Sequence, residues 1–442
     1  MDFALDSGNT AWILVSATLV LMMTVPALAF FYGGMVRSKS VLNMMMMSFG
    51  AAGLVGLIWV LWGYSMSFGT DQGGLIGNPV ELFGLSGLAD ADASNILSGS
   101  GVPAMVWVGF QATFAVITVA LISGSLADRV KFGAWMAFVG VWITVVYFPL
   151  CHWVWGGGFL GADGPIGSAL STPLDFAGGT VVHINAGVAG LVLAIIIGKR
   201  KGFGKEPMRP HNLPLVMLGA ALLWIGWFGF NAGSAGGANA QAGQAWVTTF
   251  VATAVAMLGW TLTEKIRDGK ATSLGAASGV VAGLVAITPG AGFVSPVGAV
   301  FIGLIAGVVC SLAVSLKYKF GYDDSLDVVG VHLVGGLTGT VLIGFFGSVD
   351  SAGGYAADGG AYWDGAQNGL FYGGGATQLL TQISVALIAM VFSGVVTAII
   401  GVIIKATRGW RISEPDEVGG IDLAVHGETG YETIGSGRLA ER

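Results

Sequence analysis

Long apolar runs separated by short polar connections dominate the sequence. Eleven of them are long enough for a helix to cross a bilayer, which takes about 20 residues. With 54% hydrophobic and only 10% charged residues, a chain of 442 residues has too little polar surface for a soluble protein. The pattern predicts an all-α polytopic membrane protein with eleven transmembrane helices near 10–34, 41–68, 103–127, 132–155, 176–198, 212–232, 243–263, 273–289, 295–316, 328–348 and 376–405.

The positions of the 19 Lys and Arg residues predict the orientation. They follow the first, third, fifth, seventh, ninth and eleventh windows, whereas the other connections and the N-terminus carry acids. Basic connections stay on the cytoplasmic side of a membrane. We therefore expect the N-terminus outside and the C-terminus inside. The first residues also lack the basic region of a cleavable signal peptide, so residue 1 is expected to begin the working protein.

The windows group as five, five and one. A five-helix unit that is repeated once enters the membrane from the opposite side, so repeats at about 10–198 and 212–348 are predicted to be inverted. Residues 1–407 are expected to form the transmembrane domain, with helix 11 at about 376–405, and 408–442 a cytoplasmic tail.

One long outer connection has no predicted role. Residues 69–102 are rich in glycine and acids, which predicts a poorly regular surface loop.

A single histidine lies inside an apolar window twice. His183 and His332 each precede glycines at the fourth and seventh following positions, which places each histidine on one helical face with its glycines. Small residues let helices approach closely, and substrate paths tend to lie where two repeats meet. We therefore predict that the two histidines face each other near the middle of the bilayer.

Two interpretations of these histidines are open. Each could brace two helices through a backbone hydrogen bond, but a symmetric pair of ionisable residues in a membrane favours a functional role. No third His, Cys or carboxylate lies near either one in sequence, so no metal site and no cofactor are expected. Two imidazoles in contact in an apolar lumen resist double protonation, because burial and like charge both oppose it. They would share one proton and pass it on.

Acids precede both histidine windows. Asp175 opens the fifth window, where helix N-capping is favoured over direct contact with a substrate. The same capping role is predicted for Asp327 at the tenth window, and for Asp323 and Asp324 beside it.

Aromatic residues gather where windows meet the predicted outer surface. Phe114 lies near the start of the third window and Trp155 at the end of the fourth, positions where rings often serve only as membrane-interface anchors. Phe230 and Ser234 are four residues apart, so a ring and a hydroxyl share one helical face. Rings plus a hydroxyl, without a fixed carboxylate, suit a small cation. No nucleophile with a neighbouring base is apparent in the windows, so the chain is not expected to be an enzyme.

Several segments closely resemble the ammonium transporters of the Amt/Mep/Rh family. They cover most of the chain: FYGG (31–34), FQATF (110–114), HWVWGGG (152–158), DFAGGTVVHINAG (175–187), GKRKGFGKEPMRPHNLP (198–214), WFGFNAGSAG (227–236) and DDSLDVVGVHLVGG (323–336). The resemblance implies an eleven-helix inverted-repeat fold in the cell membrane, a homotrimer with one pore per subunit, and a role in nitrogen metabolism. Ammonium or ammonia, and methylammonium as an analogue, would be the substrates; no nucleic acid partner is implied.

The resemblance also implies roles for individual residues. Trp155, Phe114 and Ser234 correspond to an outer recruitment site, Phe114 and Phe230 to a stacked gate, and the two histidines to a pore lining that relays protons. Asp175 corresponds to an acid that shapes the outer site. Trp155 favours the Amt branch over the Rh branch. The tail segment 420–432 resembles one that couples subunits and docks PII-type signal proteins.

These parts suggest how ammonium would cross. Moving a small cation into low dielectric costs tens of kcal/mol, whereas each ring returns only about 2 kcal/mol. We therefore expect ammonium to be captured outside, to lose its proton and to cross as ammonia, with or without the proton. The alternative is an ammonium sensor that signals through its tail with little flux.

Overall fold

Helices occupy all eleven predicted windows in the computed structural model, which describes residues 4–89, 96–97, 100–348 and 365–431. Part of the 69–102 loop and the tail residues 432–442 lie outside these ranges. The helices are α1 (Ser7–Met35), α2 (Val41–Phe68), α3 (Ala104–Leu126), α4 (Phe132–Trp155), α5 (Gly179–Ile197), α6 (Leu213–Gly233), α7 (Ala240–Asp268), α8 (Ser273–Ile287), α9 (Pro296–Phe320), α10 (Val329–Phe346) and α11 (Thr377–Thr407).

Ten of these helices in the described part of the chain are long and apolar enough to cross a membrane by length and composition. The predicted polytopic all-α membrane fold is thereby confirmed. The remaining one, α8, has 15 residues and spans only about 22 Å at 1.5 Å per residue. It continues into a turn, and residues 279–294 are buried throughout, so protein rather than lipid surrounds this segment. The count of eleven crossings and the orientation stay predictions.

Glycines bring the helices into close contact. A Cβ atom built on Gly307 of α9 would lie 2.3 Å from the backbone oxygen of Ala256 in α7, and one on Gly219 of α6 would lie 2.4 Å from the backbone nitrogen of Phe31 in α1. Only glycine fits at these crossings. The many glycines thus let backbones pack directly, which is how helices associate in lipid, where the hydrophobic effect contributes little.

The two ends of the bundle differ in charge. The basic end is the one at which Arg37, Asp128 and Arg200 meet, with Arg200 Nη1 3.2 Å from Asp128 Oδ2. The acidic end is the opposite one. It carries a small antiparallel hairpin, β1 (Asp71–Gln72) and β2 (Ile76–Gly77), the helix Pro165–Ala169, and the 3₁₀ turns Phe83–Leu85 and Leu370–Tyr372.

A buried charge network stabilises the basic end. The Arg129 side chain donates to the backbone oxygens of Ser125 (2.9 Å) and Asp323 (2.7 Å) and to the Ser325 hydroxyl (2.6 Å). Burial lowers the pKa of Arg129 to about 10. Burial alone would raise the pKa of Asp323, but hydrogen bonds and charge from Arg200 outweigh it and lower that pKa. Asp323 is therefore an ion-pair partner and not the predicted helix cap.

The tail folds back onto the basic end through two short helices, α12 (Glu414–Gly419) and α13 (Ile421–His426). Asp422 accepts the backbone N–H groups of Leu42 (3.0 Å) and Asn43 (2.7 Å), and so caps the start of α2. The described tail residues also bond to the connections after α1, α3 and α5. These contacts join Glu417 to Arg37 and Lys201, Trp410 to Lys131, Arg411 to Lys199, and Tyr431 to His211.

Candidate functional site

The two predicted histidines are in contact. His183 Nδ1 and His332 Nδ1 are 3.3 Å apart, with ring centroids separated by 5.4 Å, and the two side chains are almost fully buried. Two facing nitrogens at this distance share one hydrogen, so one ring donates and the other accepts. The predicted contact between His183 and His332 is confirmed.

Both histidines lie in wide helical turns at the start of their helices. His183 lies in a π-helical turn, Gly179–Ile184, and His332 in another, Val329–Leu333. Such turns are rare and often mark functional sites. The glycines that follow each histidine make the close approach that their spacing predicts. A Cβ atom on Gly336 would lie 3.0 Å from His183 Cβ, and one on Gly187 would lie 2.4 Å from the backbone nitrogen of Leu333.

Asp175 caps the helix that carries His183. Its Oδ1 accepts the N–H groups of Gly178 (2.8 Å) and Gly179 (2.6 Å), and its Oδ2 accepts the N–H of Thr180 (2.8 Å) and the Thr180 hydroxyl. The side chain is buried and both oxygens are engaged. The predicted capping role is confirmed: Asp175 fixes the start of α5, the helix that carries His183.

The corresponding cap on α10 is Asp324, for which the predicted capping role is confirmed, whereas the capping role predicted for Asp327 is wrong. Asp324 accepts the N–H groups of Val328 (3.1 Å) and Val329 (2.7 Å). Asp327 instead pairs with Lys317, with Nζ 2.6 Å from Oδ1. A buried carboxylate serves the helix start, whereas Asp327 is partly exposed next to a lysine.

Equal spacing identifies the two caps. Asp175 and Asp324 each stand eight residues before their histidine. This spacing is readable in the sequence, and it separates Asp324 from Asp327, which stands only five residues before His332.

A row of rings leads from the acidic end to the histidines. Trp155 meets Phe114 edge-on, with centroids 6.0 Å apart and an interplanar angle of 89°. Phe114 stacks on Phe230 at 4.2 Å and 29°. Phe230 in turn stacks on His183 at 6.1 Å. The predicted gate residues thus form a closed stack between the acidic end and the histidine pair.

Hydrogen bonds fix Trp155 at the end of α4 and Ser234 directly after the end of α6. The Trp155 indole N–H donates to the backbone oxygen of Asp175 at 2.9 Å. Ser234 is half-buried, and its hydroxyl donates to the backbone oxygen of Phe230 at 2.8 Å. The Ser234 oxygen keeps its lone pairs for a donor such as a small cation.

Trp227 is a site residue that the sequence analysis did not single out. Its ring stacks on His183 with centroids 5.5 Å apart, and its indole N–H donates to the Thr288 hydroxyl at 2.8 Å. Trp227 lies three residues before Phe230 on α6, so helical spacing placed it on the same face. Trp227 thus adds a second ring against His183 next to Phe230, with the Trp227 and Phe230 centroids 5.2 Å apart.

The surroundings of the two histidines are not those of a bound metal ion. Within the described residues no group of three or more His, Cys, Asp or Glu side chains could hold a metal ion. Both histidines lie near helix starts, whose dipoles oppose a resident positive charge.

Long apolar helices packed around the buried pair His183 and His332 define a polytopic membrane transport protein. Residues 11–431 match the model of the Ammonium Transporter Family. The chain is 56% identical over 447 aligned residues to an ammonium transporter of Mycobacterium tuberculosis (strain ATCC 25618 / H37Rv), covering 98% of this chain and 92% of the relative.

Solved structures agree with this match. Mep2 of Saccharomyces cerevisiae superposes with a TM-score of 0.82 at 34% identity, over 94% of this chain and 92% of that one. A structure described as a sensor Amt protein superposes with the same TM-score, 0.82, at 26% identity, over 94% of this chain and 98% of that one.

The chain therefore belongs to the Ammonium Transporter Family. It is a multi-pass membrane protein of the transporter and channel class and not an enzyme, as its sequence predicts.

Proposed function

We propose that this protein recruits ammonium at Trp155, Phe114 and Ser234, removes a proton, and conducts ammonia past the histidine pair to the cytoplasm. The observation that carries this proposal is the continuous row of rings from Trp155 through Phe114 and Phe230 to His183, which ends on the buried contact between His183 and His332. Rings attract a cation at the entrance, but they cannot offset the cost of carrying it through low dielectric.

The histidine pair then acts as the proton relay. Because the two Nδ1 atoms share one hydrogen, a proton that enters one ring can leave from the other. Potassium is excluded by this scheme, since it has no proton to give up. The scheme separates the ion into ammonia and a proton, and leaves each to cross by its own route.

Current measurement on solid-supported electrodes tests this proposal. Full-length protein in liposomes should give an ammonium-evoked current with no potassium current. His183→Ala and His332→Ala should abolish the current or admit potassium, because the relay is broken. His211→Ala removes a histidine at the basic end and should keep ammonium selectivity. Ammonia flux with no current in the wild type would refute the relay and leave a neutral-gas channel.

The ring stack calls for its own variants. Phe114→Leu and Trp155→Leu should weaken ammonium capture, because each removes one ring of the entrance. Phe250→Leu removes an exposed ring of α7, 47% exposed, and should leave capture unchanged. Equal effects at all three positions would mean that the rings only support the fold.

A sensor is the second candidate. The structural likeness to a sensor Amt protein and the folded-back tail favour it. Substrate flux that greatly exceeds the number of bound ions would establish transport. Ammonium binding with neither current nor flux would establish the sensor.

We infer the assembly and the regulatory partner from the resemblance of the whole chain and of segment 420–432 to the family. The protein would form a homotrimer and bind a PII-type protein through its tail. Native mass spectrometry of the detergent-solubilised protein tests the first inference, and a pull-down with purified PII-type protein tests the second.

A further inference from the structure

His152 forms a buried ion pair just before the entrance residue Trp155. Its side chain is fully buried; Nδ1 lies 3.0 Å from the backbone oxygen of Ser67, and Nε2 lies 2.9 Å from Oδ1 of Asp71. A carbonyl oxygen and a carboxylate oxygen only accept hydrogen bonds. Both ring nitrogens therefore face hydrogen-bond acceptors, and one of these is the Asp71 carboxylate.

Asp71 connects this pair to the surface of the acidic end. Its carboxylate also accepts the N–H of Gly74, at 2.8 Å and 2.9 Å from the two oxygens, within the β1–β2 hairpin. The hydrogen bond from His152, and then that from Gly74, lowers the pKa of the Asp71 carboxyl. The Asp71 side chain is 43% exposed, so the pair ties the hairpin to α4 while one partner stays in contact with water.

The glycine turn that follows Trp155 wraps around the imidazole. The N–H groups of Gly156 and Gly158 both donate to the backbone oxygen of His152, at 2.9 Å and 3.0 Å. A Cβ atom on Gly156 would lie 2.5 Å from His152 Nδ1, and one on Gly158 would lie 2.8 Å from Cδ2. The ring thus fixes the path by which the chain leaves Trp155.

We propose that the His152–Asp71 pair is a positioning device for Trp155. The inference rests on the proposed capture of a cation at Trp155. The Trp155 ring is held on its far side by the hydrogen bond to the backbone oxygen of Asp175, and the pair holds the backbone on the near side. Its effect is on affinity, because neither His152 nor Asp71 contacts the rings beyond Trp155.

The test compares the concentration dependence of the ammonium current in full-length protein reconstituted in liposomes. Asp71→Asn keeps an oxygen and the cap of Gly74 but removes the charge, and His152→Gln keeps one of the two hydrogen bonds. Both should raise the half-saturating concentration about fivefold, as expected for the loss of one hydrogen bond, with the maximal current unchanged. Asp163→Asn makes the same charge change at an exposed position of the acidic end and should behave as wild type.

A double variant separates positioning from simple support of the fold. If His152 acts through Trp155, His152→Gln in a Trp155→Leu background should add nothing to the effect of Trp155→Leu alone. A raised half-saturation that adds fully in the double variant overturns the inference. So does a lower maximal current with unchanged half-saturation in Asp71→Asn and His152→Gln.

The two proposals fail in different ways. If Trp155→Leu shifts half-saturation while the His152 and Asp71 variants do not, the positioning inference alone fails. If Trp155→Leu causes no shift, the capture role of Trp155 fails and the positioning role falls with it.

Discussion

Asp422 offers a direct measure of how firmly the tail is held. Its carboxylate caps α2 from a position 380 residues away in sequence, and it is 1% exposed. Ser40, the residue at the helix start itself, makes no side-chain cap. The Asp422 backbone N–H also donates to the backbone oxygen of Lys39 at 3.2 Å. Asp422 is therefore a buried anchor of the tail, with each carboxylate oxygen accepting one N–H group at the start of α2.

The size of its contribution can be worked out from these bonds. A hydrogen bond to a charged group contributes about 1.5–3 kcal/mol, and a negative charge at a helix start adds about 0.3–1 kcal/mol. Asp422→Asn keeps one accepting oxygen and loses the charge, so we expect a cost of about 2–3 kcal/mol. At 1.4 kcal/mol for each tenfold change, the undocked tail becomes roughly 30- to 150-fold more populated.

Hydrogen exchange across 414–426 measures this opening. Glu414→Gln is the matched control, because it removes a charge from the same tail at a surface pair with Lys201, 2.7 Å apart and exposed at both partners. Such pairs contribute about 0–1 kcal/mol. Exchange in Asp422→Asn that matches exchange in Glu414→Gln would refute the assignment of the cap as the main anchor of the tail.

Three further changes test the site and the packing. Asp175→Asn puts an amide group against N–H donors and should cost about 2–4 kcal/mol, seen as a lower unfolding temperature and a smaller ammonium current; an unchanged temperature would argue against the cap. Gly307→Ala should lower the free energy of unfolding by about 1–3 kcal/mol, because the added methyl group would meet the Ala256 backbone. Gly53→Ala adds a methyl group in open space and should be neutral or stabilising in the same thermal assay. Equal shifts in unfolding temperature for the two variants would contradict the packing argument. Ser234→Ala should raise half-saturation by about fivefold, for one hydrogen bond to the cation, and no change in the current titration would remove Ser234 from the recruitment site.

Periodic and compositional features made most of the fold predictable from sequence. A membrane-crossing helix needs a long apolar run, so helix positions can be read directly. The glycines four and seven residues after His183 and His332 share an α-helical face with them, and this spacing predicted the contact between the two helices. Each of these features depends only on residues that are close together in the sequence.

Features that depend on long-range pairing were not predictable in the same way. The cap of α2 comes from Asp422, 380 residues away in the tail. The ion pair of His152 joins two segments 81 residues apart. No periodicity in the sequence links these partners.

The tail bonds described above have a mechanical consequence. From Gly409 to Tyr431, every hydrogen bond and ion pair that the described tail residues make with the membrane domain, apart from the join to α11, goes to residues 36–212. The described tail residues therefore bond to the half of the protein that contains His183. They make no hydrogen bond or ion pair of their own to the half that contains His332. A pull on the tail would load α5 first, through the Lys199–Lys201 connection. It would reach α10 indirectly, through the Arg200–Asp323 ion pair and the α5–α10 contact. The tail therefore contacts the helix of His183 directly through the connection after α5, and reaches the helix of His332 only indirectly.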